Sequence, residues 1–321
     1  MRGWMRVFIF AGLIALAGCK KNGGGSSGTT IAVIPKGTTH EFWKSVEAGA
    51  KQAGQEMNAE IIWKGPLKED DRAQQIQLVE QFVTDRVSGI VLAPLDKDAL
   101  LRPVREADDA KIPVVIIDSA LSGEPGKDFV SFVATDNRKG GEIAGEQLAK
   151  TLNNKGKVVL LRYAEGSAST EQREAGFLDA IKKHPDIQII SENRYAGATV
   201  DTAKTASLNI IDTVKQADGV FTPNESSTLG MLLAMRESGL AGKVKFVGFD
   251  ASVPLVEALQ KNELDALVSQ DPFKMGYEGV KTIITHIRGQ AVPQTVDTGV
   301  HLITRENLDS PEIAELLKSR K

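Results

Sequence analysis

The sequence predicts an α/β fold made of two similar, doubly wound parallel-sheet lobes, and three observations predict it. From residue 31 onward, runs that are apolar throughout alternate with helix-length segments: "IAVI" (31–34), "GIVLAP" (89–94), "PVVIID" (113–118) and "KVVLL" (157–161). Strands of that kind are buried on both faces, as in a parallel sheet covered by helices on each side. The chain also resembles itself. "DRVSGIVLAPLDKDAL" from Asp85 leads through a helix to "IPVVIID" ending at Asp118, and "KQADGVFTPNESSTLG" from Lys215 leads through a helix to "VKFVGFD" ending at Asp250. From the glycine before the first strand to the closing aspartate is 29 residues in one copy (Gly89) and 31 in the other (Gly219), which suits two facing lobes and not a solenoid.

Taken in order, the chain begins with Arg2 and Arg6 before the apolar "VFIFAGLIALAG" (7–18), an export-signal pattern too short to span a bilayer. Cys19, the only cysteine, ends "LAGC", which resembles the bacterial lipobox; that resemblance implies that 1–19 is a lipoprotein signal with Cys19 lipidated and the protein held on a membrane. Residues 20–29 are a Gly/Ser tether. After the strand at 31–34 comes "PKGTTHEFW", whose adjacent rings Phe42 and Trp43 cannot share one helix face. One of them is expected to continue the stripe Val46, Ala50, Ala53, Met57 into the core, and the other to project into a cleft. The helix at 71–86 is expected to turn Ile76, Val79 and Val83 inward. Asp118 and Asp250 close matched strands, where open α/β sheets bind ligands; capping of a following helix is the alternative role.

Several function classes are disfavoured. The net charge of −3 and the absence of a basic stripe argue against nucleic acid. The loop after the first strand lacks G-x-G-x-x-G, "GGEIAG" (140–145) has the wrong glycine spacing, and "SGEPGKD" (122–128) is not a Walker A motif. With no H-E-x-x-H or G-x-S-x-G, four scattered histidines and one cysteine, neither enzyme activity, a cofactor nor a metal site is expected. A repressor would need a helix-turn-helix before residue 30, where the signal and tether lie.

From about residue 30 to 305 the sequence resembles the ribose-binding-like periplasmic sugar-binding proteins of bacterial ABC importers, relatives of the ligand-sensing domains of lac-type repressors. "IAVIPKGTTHEFWKSVEAGA" (31), "ATDNRKGGEIAGEQLA" (134), "EQREAGF" (171), "VFTPNE" (220), "VGFDAS" (247) and "ALVSQDP" (266) carry the resemblance. It implies ligand contacts at His40, Phe42, Trp43, Asp118, Ser119, Arg173, Asn224, Asp250 and Gln270, with Lys36 where autoinducer-binding members use a lysine. It also implies a three-segment hinge near Thr135, Gln270 and Thr295, dividing the chain into 30–134 plus 271–296 and 135–270 plus 297–321. The partners implied are a monosaccharide or polyol and an ABC permease, for a monomer outside the cytoplasm; presentation of ligand to a membrane sensor, or autoinducer-type carbohydrate binding, are the alternatives. Ser119 stands where ribose binders have arginine, and the second lobe's stacking phenylalanine is replaced near Ala198, with Tyr195 close by. Both changes lead to the expectation of one fewer donor and more room than a ribose site has.

Overall fold

The computed structural model describes Met1 and residues 28–318, so the expected signal, Cys19 and most of the tether lie outside the described residues. The first lobe opens with β1 (Thr29–Ile34), α1 (Glu41–Glu56), β2 (Ala59–Trp63), α2 (Arg72–Thr84), β3 (Gly89–Leu92), α3 (Leu101–Asp109), β4 (Val114–Ile117) and β5 (Ser131–Ala134). The second contains α4 (Asn137–Thr151), β6 (Gly156–Arg162), α5 (Ala168–Ile181), β7 (Ile187–Tyr195), α6 (Val200–Asn209), α7 (Ile211–Val214), β8 (Gly219–Phe221), α8 (Glu225–Glu237), β9 (Lys245–Phe249), α9 (Val253–Gln260) and β10 (Ala266–Gln270). The chain then returns as α10 (Pro272–Ile287) and β11 (Thr295–Asp297), and crosses again into β12 (Val300–Ile303) and α11 (Pro311–Lys318).

Two six-stranded sheets result, ordered β11-β5-β4-β3-β1-β2 and β12-β10-β9-β8-β6-β7. Every pairing is parallel except that β12 runs antiparallel along the edge of β10. Since β11 still pairs with β5, the third passage between sheets falls between Asp297 and Val300. There the Thr135 and Thr298 hydroxyls lie 3.3 Å apart, and Thr135 also donates to the Gly299 carbonyl, tying the first passage to the third.

The apolar runs follow from burial on both faces. In the first sheet Ile31, Val33, Val91, Val115 and Ile117 face α1 and α10, while Ala32, Ile34, Ile90, Leu92 and Ile116 face α2 and α3. Close helix packing is made possible by glycine. A Cβ on Gly49 would lie 2.0 Å from the Phe273 carbonyl of α10, and one on Gly141 of α4 would lie 1.9 Å from the Arg173 carbonyl of α5. One expectation needs correction: the inward face of α2 is Gln75, Leu78, Val79 and Phe82, with Ile76 and Val83 half-buried beside it. The face is rotated because Gln75 is a buried rivet. It donates to the Pro35 and Ala93 carbonyls and accepts from Leu95 N, fixing the loops after β1 and β3.

Candidate ligand-binding cleft

The two lobes face each other across the carboxyl ends of their strands, and a small cavity of about 30 Å³ lies between them. Nine of the ten residues singled out in the sequence line it: Lys36, His40, Phe42, Trp43, Asp118, Arg173, Asn224, Asp250 and Gln270. Glu69, Tyr163, Ser169, Thr170 and Glu225 complete the wall. Ser119 does not line it; its hydroxyl accepts the backbone N–H of Ser169 from the opposite lobe at 3.1 Å.

Asp118 and Asp250 directly follow β4 and β9 with φ of +63° and +69°, a left-handed conformation unusual for a residue with a side chain. Each keeps its N–H in the sheet, donating to Val133 and Val268 respectively, while the side chain turns toward the cleft. Asp118 pairs with the buried Lys36 ammonium at 2.9 Å. Asp250 accepts from Gln270 Nε2 at 2.8 Å and from Glu225 N, the first amide of α8, at 2.9 Å. Asp250 thus serves the cleft and a neighbouring helix end together.

Arg173 is 2% exposed. Its Nε donates to Asn137 Oδ1, its Nη1 donates to the Pro223 carbonyl, and its plane lies 4.0 Å over the Phe249 ring. Nη2 is buried without a partner among the described residues. A buried donor left unmade costs about 1–3 kcal/mol, so Arg173 is poised to take an acceptor entering the cavity.

Glu69, in the loop after β2, organises the first lobe's wall. Its Oε1 accepts from His40 Nδ1 at 2.8 Å and from Trp43 Nε1 at 2.5 Å, and its Oε2 from the Tyr163 hydroxyl at 2.7 Å. Burial works against charge at both His40 and Glu69, but each outweighs it for the other: the imidazole is pushed up to about 9 and the carboxyl down to about 2. Burial drives Glu225 the other way, to about 7, with Asp250 adding repulsion and His40 opposing.

Phe42 and Trp43 do not divide as expected. Both are buried, both pack with Val46 and Ala50, and both line the cavity, their rings edge to face at 4.8 Å. At the very start of α1 the cleft wall and the core are the same place, so neighbouring residues reach it from different sides. Tyr195 stays exposed on β7, outside the cavity; Tyr163 supplies the second lobe's ring. Nor does the absence of an arginine at Ser119 leave the cleft short of a cation, because Lys36 stands against Asp118. Among the described residues no group of acidic, histidine or cysteine side chains could hold a metal ion, and no helix is long and apolar enough to cross a membrane.

A family model described as a periplasmic binding protein domain matches residues 31–291. The chain belongs to that family. This periplasmic binding protein is 31% identical over 284 residues to the D-ribose/D-allose-binding protein of Pseudomonas aeruginosa, across 85% of this chain and 88% of that one. Two crystal structures share its type I architecture. A carbohydrate transporter solute-binding protein from Agrobacterium radiobacter, in complex with D-arabinose, has TM-score 0.86 and 35% identity over 91% of this chain and 99% of that one. An ABC transporter solute-binding protein from Agrobacterium vitis with bound D-fucose has TM-score 0.85 and 36% identity over 89% and 98%. The relatives are binding proteins, not enzymes.

Proposed function

We propose that the protein is an extracytoplasmic, lipid-anchored receptor that captures an uncharged monosaccharide or polyol between its lobes and delivers it to an ABC permease. The observation that carries this reading is the pairing of charge inside the cavity. Lys36 faces Asp118, His40 faces Glu69, Arg173 lies in the field of Asp250, and burial pushes the remaining carboxyl, Glu225, toward its neutral form, so the site holds little net charge and leaves directional hydrogen-bonding groups for a neutral ligand. Phe42, Trp43 and Tyr163 supply flat apolar surface for the C–H faces of a sugar ring. The sugars named for the relatives support the same class: D-ribose and D-allose, D-arabinose, and D-fucose.

A ligand touching both walls favours the closed form by the difference between its affinities for closed and open states, and motion at three passages lets the lobes swing as rigid bodies. Thermal-shift screening with D-arabinose, D-fucose, D-ribose, D-allose and neutral polyols tests the reading. At least one is expected to stabilise the protein by about 2.7 kcal/mol at a hundredfold excess over its Kd. Stabilisation by amino acids, peptides or metal ions alone would overturn it.

A further inference from the structure

We propose that the closed cleft is held by a reciprocal latch, in which each lobe supplies the helix caps that the other lobe lacks. Three helices that begin at the cleft, α1, α5 and α9, make no side-chain bond from their own N-cap residue. Those residues are engaged elsewhere or idle. His40 is held by Glu69, Ser167 accepts from Lys36, and the buried Ser252 hydroxyl has no partner among the described residues.

The missing caps arrive from across the cleft. Glu225 of the second lobe accepts the N–H groups of Glu41 and Phe42 at 3.2 and 3.0 Å, closing the start of α1. Glu41 of the first lobe accepts Val253 N at 3.0 Å, closing the start of α9. Ser119 of the first lobe accepts Ser169 N at 3.1 Å, in the first turn of α5. By contrast α2, α4, α6 and α10 are capped by their own Asp71, Asp136, Thr199 and Asp271.

Helix starts carry orphan N–H groups, so an oxygen acceptor there is favourable and its withdrawal exposes donors to water. Opening the cleft therefore uncaps three helices together. The latch also seats the site, because Phe42, whose ring lines the cavity, and Ser169, whose hydroxyl accepts from Lys36, are themselves capped residues. Closure then draws part of its free energy from the protein, and a ligand need supply only the remainder.

Hydrogen exchange on the sugar-free protein tests the latch without relying on the sugar reading, comparing the parent with Glu41→Ala and Ser119→Ala, neither of which lines the cavity. Glu41→Ala is expected to speed exchange at Val253, which loses its acceptor, and also at Ser169, whose acceptor is Ser119 and not Glu41. Ser119→Ala is expected to speed Ser169 and also Phe42 and Val253. Each change should be roughly fivefold, the scale of one lost N-cap. Acceleration confined to the amide that lost its acceptor, or none at all, would mean three separate caps and overturn the latch. Failure of every sugar to bind would leave this result standing.

Discussion

The Tyr163 hydroxyl donates across the cleft to Glu69 at 2.7 Å, and the other oxygen of that carboxylate holds His40 and Trp43. One first-lobe carboxylate therefore orients a ring and an imidazole within its own lobe, and takes the second lobe's hydroxyl when the two meet. Tyr163→Phe keeps the ring and removes only this donor. Hydrogen bonds to charged groups contribute about 1.5–3 kcal/mol, so affinity for whichever sugar the screen identifies should fall roughly tenfold or more by calorimetry. An unchanged Kd would show that the bond does not report closure.

Stability should fall as pH rises from about 5 to 9. His40 has a folded pKa of about 9 against 6.5, so its contribution is complete below 6.5 and is lost as pH climbs through 9. Glu225, raised from 4.5 to about 7, has the same sign: the folded state favours its protonated form, and that contribution disappears as pH passes 7. Glu69, depressed from 4.5 to about 2, contributes above 4.5 and is lost only as pH falls through 2, outside this window. Each raised group is worth on the order of 3 kcal/mol. Sugar-free melting curves across the range should show the decline, and Glu225→Gln should remove its lower part. A flat profile would count against both assignments.

Lobes, strand ends and the matched aspartates were legible because burial on both sheet faces writes continuous apolar runs and repetition writes equal spacing. Glu69 was not, since it sits in "LKEDD", a charge run that reads as solvated surface until the fold turns one member inward. Gln75 was invisible for a related reason: a buried polar side chain satisfied by three backbone groups breaks the hydrophobic period and shifts the apparent face of α2 by one residue. The choice between Phe42 and Trp43 assumed that core and cleft are different surfaces, which fails at a helix start. Ser119 carried no pattern of its own, because its partner lies fifty residues away in the other lobe.

Anchoring is a separate prediction, resting on "LAGC" ahead of a Gly/Ser tether. Acyl chains contribute about 0.8 kcal/mol per buried methylene, and no described helix is long and apolar enough to cross a bilayer. Cys19→Ala should move the protein from the membrane fraction to the soluble one while its sugar-induced thermal shift stays the same. Membrane association that survives the substitution would place the anchor elsewhere.

Lys36 and Asp118 form a buried ion pair at 2.9 Å, with Lys36 also donating to Ser169 and Ser167 of the second lobe. Removing one member of such a pair costs about 3–5 kcal/mol because the other charge is left buried alone, whereas removing both can be nearly neutral. Lys36→Met should therefore lower the sugar-free urea midpoint strongly, and adding Asp118→Asn should restore most of it. Asparagine suits this test because it tolerates the left-handed backbone that Asp118 adopts at φ +63°. The double variant should be stable yet weak in sugar binding, since the carboxylate proposed to accept a sugar's hydroxyls is gone with its cation. If the two losses in stability simply add, Lys36 acts through its serine partners across the cleft and not through the charge of Asp118.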